Sequence, residues 1–310
     1  MIKIFKTEGG ILREVEEYGE GVWINIVQPS EGECNEIAER FAIPLDFLLD
    51  PLDLNERSRV EVEDESVLVV LRVPIFNEDN EDIPYITMPV GIIFTANLII
   101  TVCNRDVELL KRFVEGKIRN FSTQKRSRFL LQLFLQTALL YLRYLKDIDN
   151  RTNILEEELH KSMRNEELIK LLNIEKSLVF FTTSLRANEL MMERLQRSRF
   201  IKMDPDDEDL LEDVIIENRQ AIEMANIYSS ILSGMMDAFA SVISNNLNVV
   251  MKFLTSITII LMIPTLIASI YGMNIPLPFQ HSPHAFLIIM ILSVVLSIVG
   301  IHIFRKKELF

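Results

Sequence analysis

Oxygen-bearing groups recur at a seven-residue spacing near the C-terminus of this 310-residue chain. Thr258 and Thr265 are seven residues apart, and Gly272 follows after seven more, directly before Met273 and Asn274. Residues at this spacing share one face of a helix. Hydroxyl, amide and carbonyl oxygens on one face could recognise a hard cation such as Mg²⁺, which prefers oxygen ligands and gives up its water reluctantly.

The stripe extends over about seven turns of the predicted helix and is its most polar face. Besides the threonines and Gly272 it includes Asn248, Met251, Leu254, Met262 and Ser269. In lipid, polar side chains turn toward other helices or toward a water-filled space. Two interpretations stay open from the residues alone: small polar groups that pack a helix bundle, or a pore lined by one helix from each subunit.

Two apolar runs must position these residues. Residues 249–271 contain one charge, Lys252, and residues 285–304 contain none. Runs of about 20 residues match a hydrocarbon core of ~30 Å, so we predict two transmembrane helices rather than two buried helices of a soluble core. The connecting loop, 272–284, lacks Lys and Arg, whereas basic residues flank both runs and form the tail 305–310. The positive-inside rule therefore predicts that both termini are cytoplasmic.

The charge balance indicates which partners to expect. The net charge is −13, and residues 252–310 carry four bases and one acid, so residues 1–251 carry −16. Such a domain repels nucleic acid and anionic lipid surfaces, and cations are its more natural partners.

The N-terminal part predicts an α+β cytoplasmic domain over residues 1–118 with a mostly antiparallel sheet, because short alternating apolar runs are separated by turn residues. Ser30 followed by Glu33 predicts a helix that begins with a capping box. Residues 119–248 predict a region of long helices, the stalk. Its last helix shows steps of three and four: Leu211, Ile215, Asn218, Ile222, Ala225, Ser229, Leu232, Met236, Phe239 and Ile243. A long stalk that enters the membrane needs partners, so we expect a homo-oligomer.

No catalytic motif is present in the sequence: it has no glycine-rich phosphate loop and no nucleophile in a recognisable context. We therefore do not expect an enzyme. His281 and His284 raise the alternative of a site for a softer metal in the loop.

The tetrad Tyr271, Gly272, Met273 and Asn274 at the outer end of the first span resembles the signature of the CorA family of magnesium channels. The order of α/β domain, stalk, two spans and basic tail resembles that family over essentially the whole chain. The resemblance implies a funnel-shaped homopentamer whose first spans line the pore and whose second spans face lipid. The family's pore positions carry over onto these residues: Asn248, Met251, Leu254, Thr258, Met262, Thr265, Gly272 and Asn274.

The resemblance also implies a role for each level of the pore. Asn274 and the Gly272 carbonyl would capture hydrated magnesium, Thr265 would form the next ring, and Met251 with Leu254 would close the pore by dewetting. Cytoplasmic magnesium would be sensed between subunits by Asp213 and Asp50. The alternative for Asp213 is an acid that complements the helix dipole within the run 204–213. The loop lacks the acidic residue that family members commonly carry after the motif.

The leading hypothesis is therefore a channel for magnesium influx in the prokaryotic inner membrane, with magnesium as both the transported and the regulatory ion. The alternatives are a zinc, cobalt or nickel transporter of the same architecture, and a non-conducting membrane-anchored signalling protein.

Overall fold

The computed structural model describes residues 1–63, 65–77, 82–119, 121–161, 165–197, 205–278 and 283–306. It divides into two compact units, Met1–Gly234 and Met235–Phe310, which we describe one at a time.

The first unit is built on a seven-stranded sheet. In chain order its strands are β1 (Ile2–Glu8), β2 (Ile11–Val15), β3 (Val22–Val27), β4 (Arg59–Glu63), β5 (Ser66–Phe76), β6 (Tyr85–Phe94) and β7 (Ile99–Cys103). The spatial order is β2-β1-β3-β7-β6-β5-β4. Within the described residues β3 and β7 pair in parallel, and the other neighbouring pairs are antiparallel. The predicted mostly antiparallel sheet is confirmed.

Helices of the first unit cover both faces of this sheet. They are α1 (Glu31–Phe41), α2 (Leu45–Leu49), α3 (Glu108–Val114), α4 (Arg126–Lys161), α5 (Asn165–Arg197) and the N-terminal part of α6 (Pro205–Tyr271), whereas α7 (Ala285–Lys306) belongs to the second unit. Because strand side chains alternate between faces, Val69 and Leu71 join a core with α3, α4 and α5, whereas Leu68 and Val70 join a core with α1 and α2. Trp23 is fully buried in the first of these cores.

The capping box predicted for α1 is present. The Ser30 hydroxyl accepts a hydrogen bond from the Glu33 amide at 3.3 Å, and the Glu33 carboxylate accepts one from the Ser30 amide at 2.7 Å. Two of the amides that a helix start leaves without partners are thereby satisfied.

The helical region differs from the sequence pattern in one respect. The long helices predicted for residues 119–248 begin only at Arg126, the first residue of α4, and the short α3 ends before this region, at Val114. Gly116, which follows α3, has a φ of +66°, a conformation that glycine adopts without strain.

The predicted seam of α6 is largely confirmed in the first unit. Leu211, Asn218, Ala225 and Leu232, each seven residues from the next, are all buried. The second line of the seam is displaced by one residue. It runs through fully buried Val214 and Ala221, while the predicted Ile215 and Ile222 are half-buried. In this seam the Asn218 amide donates to the Leu185 carbonyl of α5 at 3.4 Å.

The second unit contains the C-terminal part of α6 and the whole of α7. The most apolar 18-residue stretches of these two helices have mean hydropathies of 2.2 and 2.8, and only 6% of each stretch is buried. Both helices are long and apolar enough to cross a membrane, and they are not the buried core helices of the alternative considered above.

Candidate ion-conduction site

The stripe on α6 lies on the surface of the second unit. Met251, Leu254 and Met262 are 53%, 57% and 62% exposed, and Thr258 and Thr265 are exposed as well. A line of such side chains on an unpaired helix face has nothing to pack against within the described residues of the chain. It is available to other copies of the chain or to water.

Helix α7 contacts the opposite face of α6. A Cβ atom built on Gly300 of α7 would lie 3.4 Å from the Ile263 side chain and 3.9 Å from the Ile260 side chain, so these isoleucines pack against α7 at this point. At 3.6 residues per turn, Ile260 and Ile263 lie roughly 140–160° around α6 from Thr258. The half-buried side chain of Ile267 lies at about 180° by the same count. From Met251 to Thr265 the stripe is thus left open on the side away from α7, whereas Gly272 lines a cleft between the end of α6 and the start of α7.

The threonine hydroxyls of the stripe are already oriented by their own helix. Thr258 Oγ1 donates to the Leu254 carbonyl at 2.8 Å, and Thr265 Oγ1 donates to the Leu261 carbonyl at 3.1 Å. Because each hydroxyl uses its hydrogen in this bond, its oxygen lone pairs remain free to accept. Acceptors of this kind suit a hydrated cation, whose water ligands present hydrogens outward.

The glycine of the tetrad lies where α6 ends. The Gly272 amide donates to the Ala268 carbonyl at 2.9 Å, and the Met273 amide donates to the Ile270 carbonyl at 3.2 Å. A Cβ atom on Gly272 would lie 3.3 Å from the Ala268 oxygen, closer than an ordinary contact. Asn274 follows the turn and is exposed. The predicted alternative at the loop histidines cannot be described as a pair, since His281 lies outside the described residues.

The acidic residues in the first turns of α6 are not uniformly exposed to solvent. Asp207 is 2% exposed, accepts a hydrogen bond from the Ser127 hydroxyl and lies 3.7 Å from Arg128 Nη1. Asp213 is exposed on α6. Asp207 therefore anchors the start of α6 to α4, whereas Asp213 is accessible.

Asp50, the other predicted sensor residue, already has a cation beside it. Its Oδ2 lies 2.6 Å from Nη2 of Arg59, which also contacts Glu56 and Glu61. The predicted contact between Asp50 and Asp213 joins two copies of the chain, so it stays a prediction. Sequence reasoning did not find Arg59, because nothing in the spacing of residues 50 and 59 shows that the intervening segment brings them together.

Two further polar residues fix this segment and were also missed. Arg72, on β5, donates to the carbonyls of Leu54 and Glu56. Asn188, on α5, accepts from the Arg72 amide at 3.1 Å and from the Ser58 hydroxyl at 2.7 Å, and donates to the Arg72 carbonyl at 2.8 Å. Just before the start of β4, the Asn188 side chain thus makes the hydrogen bonds to the β5 backbone that a paired strand would make.

Among the described residues, no group of three or more His, Cys, Asp or Glu side chains is arranged to hold a metal ion.

Comparison with known proteins identifies the family. A family model described as CorA-like Mg²⁺ transporter protein matches residues 18–306. The chain belongs to this family. The predicted resemblance is thereby confirmed. The chain's α/β domain, long helix and two C-terminal apolar helices agree with the complete structure of the CorA magnesium transporter from Methanocaldococcus jannaschii. That structure superposes with a TM-score of 0.86 at 27% identity, covering 99% of this chain and 98% of the other.

Curated relatives extend the comparison. The cobalt/magnesium transport protein CorA of Methanocaldococcus jannaschii is 29% identical over 296 residues, which are 92% of this chain and 90% of that protein. Its counterpart in Thermotoga maritima is 25% identical over 299 residues, covering 92% and 82%. The full-length CmaX protein, at 17% identity and a TM-score of 0.71, shares the fold.

Proposed function

We propose that this protein is a homopentameric channel that conducts magnesium into the cell through a pore lined by the α6 stripe. The observation that carries the proposal is the open stripe: from Met251 to Thr265, its threonine hydroxyls and apolar side chains lie exposed on the face of α6 away from α7. A non-conducting anchor has no use for aligned acceptors that end in an exposed asparagine.

Assembly follows from the same surface. Polar groups in the hydrocarbon region need other helices or water. One α6 helix cannot enclose a pore, so several copies must place their stripes around a common axis. Five copies is the number that the family resemblance implies.

Magnesium suits the chemistry of this stripe. The stripe offers hydroxyl, amide and carbonyl oxygens, with no thiolate or imidazole to favour a softer metal. The family description names magnesium, and the relatives in Methanocaldococcus jannaschii and Thermotoga maritima are named for cobalt as well. Cobalt is therefore the second candidate ion.

Orientation in the membrane follows from the flanking charges. Lys252, Arg305, Lys306 and Lys307 lie at one side of the two spans, and the loop 272–284 has no Lys or Arg. Both termini are then in the cytoplasm of a prokaryotic cell, with the Gly272–Asn274 mouth outside the inner membrane. The membrane potential drives divalent cations inward through such a pore.

Each level of the pore has a role. Asn274 and the Gly272 carbonyl capture the hydrated ion through its water ligands, and Thr265, Met262 and Thr258 line the passage below. Met251 and Leu254, near the cytoplasmic end, form an apolar ring that closes by dewetting, and Asn248 lies beyond it. Tyr271 and Met273 support the mouth.

Cytoplasmic magnesium closes the channel in this scheme. Carboxylates of neighbouring subunits, Asp213 and Asp50, repel each other unless a divalent cation lies between them. Bound magnesium stabilises the closed ring, and its loss shifts the population toward open states. Asp213→Lys supplies a fixed positive charge in place of the ion. This variant should resist protease without magnesium and gain little protection when magnesium is added, whereas equal magnesium-dependent protection in both proteins would remove Asp213 from the sensor.

Flux into liposomes tests the proposal as a whole. Purified protein is reconstituted with a magnesium indicator inside, and external magnesium or cobalt is added under an inside-negative potential. Saturable magnesium entry that internal magnesium suppresses is the expected result. Entry of cobalt in preference to magnesium would favour the second candidate, and entry no faster than in protein-free liposomes would support a membrane anchor instead.

A further inference from the structure

The guanidinium group of Arg59 lies among three carboxylates of its own chain. Nη2 lies 2.6 Å from Asp50 Oδ2, Nε lies 3.1 Å from Glu61 Oε2, and Nη1 contacts Glu56. Each guanidinium nitrogen thus contacts a different carboxylate. One positive charge faces three negative charges, so the cluster keeps an excess negative charge that attracts a further cation.

The backbone that carries these carboxylates is fixed without Arg59. The Arg72 guanidinium donates to the Leu54 carbonyl at 3.0 Å and to the Glu56 carbonyl at 2.5 Å, and the Ser58 hydroxyl donates to Asn188 of α5 at 2.7 Å. Arg72 donates in turn to the Thr87 carbonyl of β6 at 2.7 Å. Next to Asp50, the Asn104 amide donates to the Leu52 carbonyl at 2.7 Å and Pro51 is buried. Replacement of Arg59 should therefore leave Asp50 in its place.

We propose that Arg59 is a built-in competitor for the divalent cation at Asp50 and sets the cytoplasmic magnesium concentration at which the channel closes. This inference rests on the proposed sensing role of Asp50. The guanidinium occupies one of the two Asp50 oxygens that could accept hydrogen bonds from a hydrated ion, Oδ2, and its charge repels the ion.

Glu56 and Glu61 can still pair with Arg59 after it has left Asp50. When magnesium takes Asp50, the guanidinium keeps two carboxylate partners, so the exchange leaves neither cation nor carboxylate unpaired. The cluster therefore weakens the binding of magnesium without abolishing it. The magnesium affinity of the sensor then depends on how readily Arg59 leaves Asp50, as well as on Asp50 and Asp213 themselves.

Arg59→Gln removes the competing charge and tests the inference. The readout is the magnesium concentration that gives half-maximal protection of the full-length protein from protease, measured beside half-maximal suppression of flux in liposomes. We expect both concentrations to fall by about tenfold, the order expected when a unit charge close to a divalent ion is removed. Arg57→Gln is the matched control, since it makes the same charge change two residues away at an exposed side chain for which the described residues provide no ion pair. Its midpoints should stay within about twofold of wild type because screening weakens interactions with more distant surface charges.

The outcomes separate this inference from the proposed function. Wild-type protection by magnesium that Asp50→Asn removes would establish the sensor. In that case, unchanged or higher midpoints in Arg59→Gln, or the same fall in Arg57→Gln, would overturn the competitor role alone. Wild type without any response to magnesium, or a response that Asp50→Asn leaves intact, would overturn the role of Asp50 and this inference together.

A second variant covers the case in which Arg59→Gln fails to assemble. Arg59→Lys keeps the charge but replaces the three-way fork with a point charge on a flexible stem, so the Asp50 oxygen is released more easily. The midpoints should fall below those of wild type, by less than the roughly tenfold change expected when the charge itself is removed. No fall in Arg59→Lys would also overturn the inference.

Discussion

The two units of this protein treat their polar side chains in opposite ways. In the first unit, buried polar groups find partners within the chain: Asn188 pairs with the backbone of β5, Asn218 with the backbone of α5, and Asp207 with Ser127 and Arg128. In the second unit, Thr258 and Thr265 of α6 lie exposed, and among the described residues each hydroxyl bonds to a carbonyl of its own helix.

This contrast shows which polar groups one chain can supply with partners by itself and which need other copies of the chain or water. The first unit buries two cores around its sheet, and the buried side chains of Asn188, Asn218 and Asp207 find partners inside it. The second unit is a pair of apolar helices whose polar stripe would be costly in lipid unless other copies or water meet it.

The largest effect is expected at the mouth of the proposed pore. Asn274→Ala removes the amide that contacts the hydrated ion and should reduce magnesium flux to the level of protein-free liposomes. Crosslinking should show that the oligomer still forms, because no core residue is lost. Asn245→Ala, an equivalent change on another face of α6, is the control and should conduct. Near-normal flux in Asn274→Ala would remove the capture role.

A smaller effect on conduction is expected at the proposed constriction. Met251→Asp places a charge in the apolar ring and keeps it hydrated, so leak at high internal magnesium should rise severalfold. Met251→Leu keeps the ring apolar and should close as wild type does. A well-assembled Asp variant with unchanged or lower leak would contradict this gate.

In the first unit, the effect should appear in stability rather than in conduction. Asn188→Ala leaves the Arg72 amide without its partner and should lower the free energy of unfolding by about 2–3 kcal/mol. Trp23 is the single tryptophan of the chain and is buried in this unit, so its fluorescence follows the unfolding. Asn35→Ala, which removes an exposed bond to Glu31, is the control. Equal unfolding midpoints in the two variants would show that the hydrogen bonds of Asn188 do not stabilise the fold.

The smallest effect is expected at an exposed ion pair of the first unit. The Arg143 guanidinium holds the pKa of Glu108 below its ordinary value through a hydrogen-bonded pair in which both side chains are about half exposed. Because the folded pKa is lowered, the pair stabilises the protein above the ordinary pKa of glutamate, and this stability is lost as pH falls through the lowered value. Arg143→Gln should cost about 0.5 kcal/mol at neutral pH and less at acidic pH, after allowance for solvent screening.

Denaturant unfolding followed by Trp23 fluorescence at a series of pH values measures this small difference in the free energy of unfolding. Lys117→Gln, which disrupts the more exposed pair with Glu115, is the control and should leave the curve unchanged. An Arg143→Gln difference that grows toward acidic pH would contradict the sign of the linkage.

The sequence was informative wherever a local pattern decides the structure. Ser30 and Glu33 predicted their capping box, the alternating runs predicted the sheet, and the seven-residue spacing from Leu211 to Leu232 predicted one line of the α6 seam. The other line was displaced to Val214 and Ala221, because the contact with α5 determines which side of a helix is buried and a small residue such as Ala221 gives a weak pattern signal.

The contacts that sequence reasoning missed join distant parts of the chain. Arg72 and Asn188 are 116 positions apart, and their bidentate pairing depends on how α5 packs beside the sheet. Arg59 reaches Asp50 because the segment between them folds back. For the stripe, the sequence predicted the residues, and the structure adds that α7 lies on the other side of α6.

The central claim, that this stripe lines a conducting pore, is tested most directly by blocking the pore at one residue. The two native cysteines, Cys34 and Cys103, are both buried, so an introduced cysteine is the reactive thiol. Magnesium flux of Thr265→Cys is measured in liposomes before and after a positively charged thiol reagent, with Ile267→Cys on the opposite face as the matched control. The reagent should stop flux in Thr265→Cys and leave Ile267→Cys conducting. Flux that continues in a Thr265→Cys protein shown by mass to be fully labelled would contradict the account.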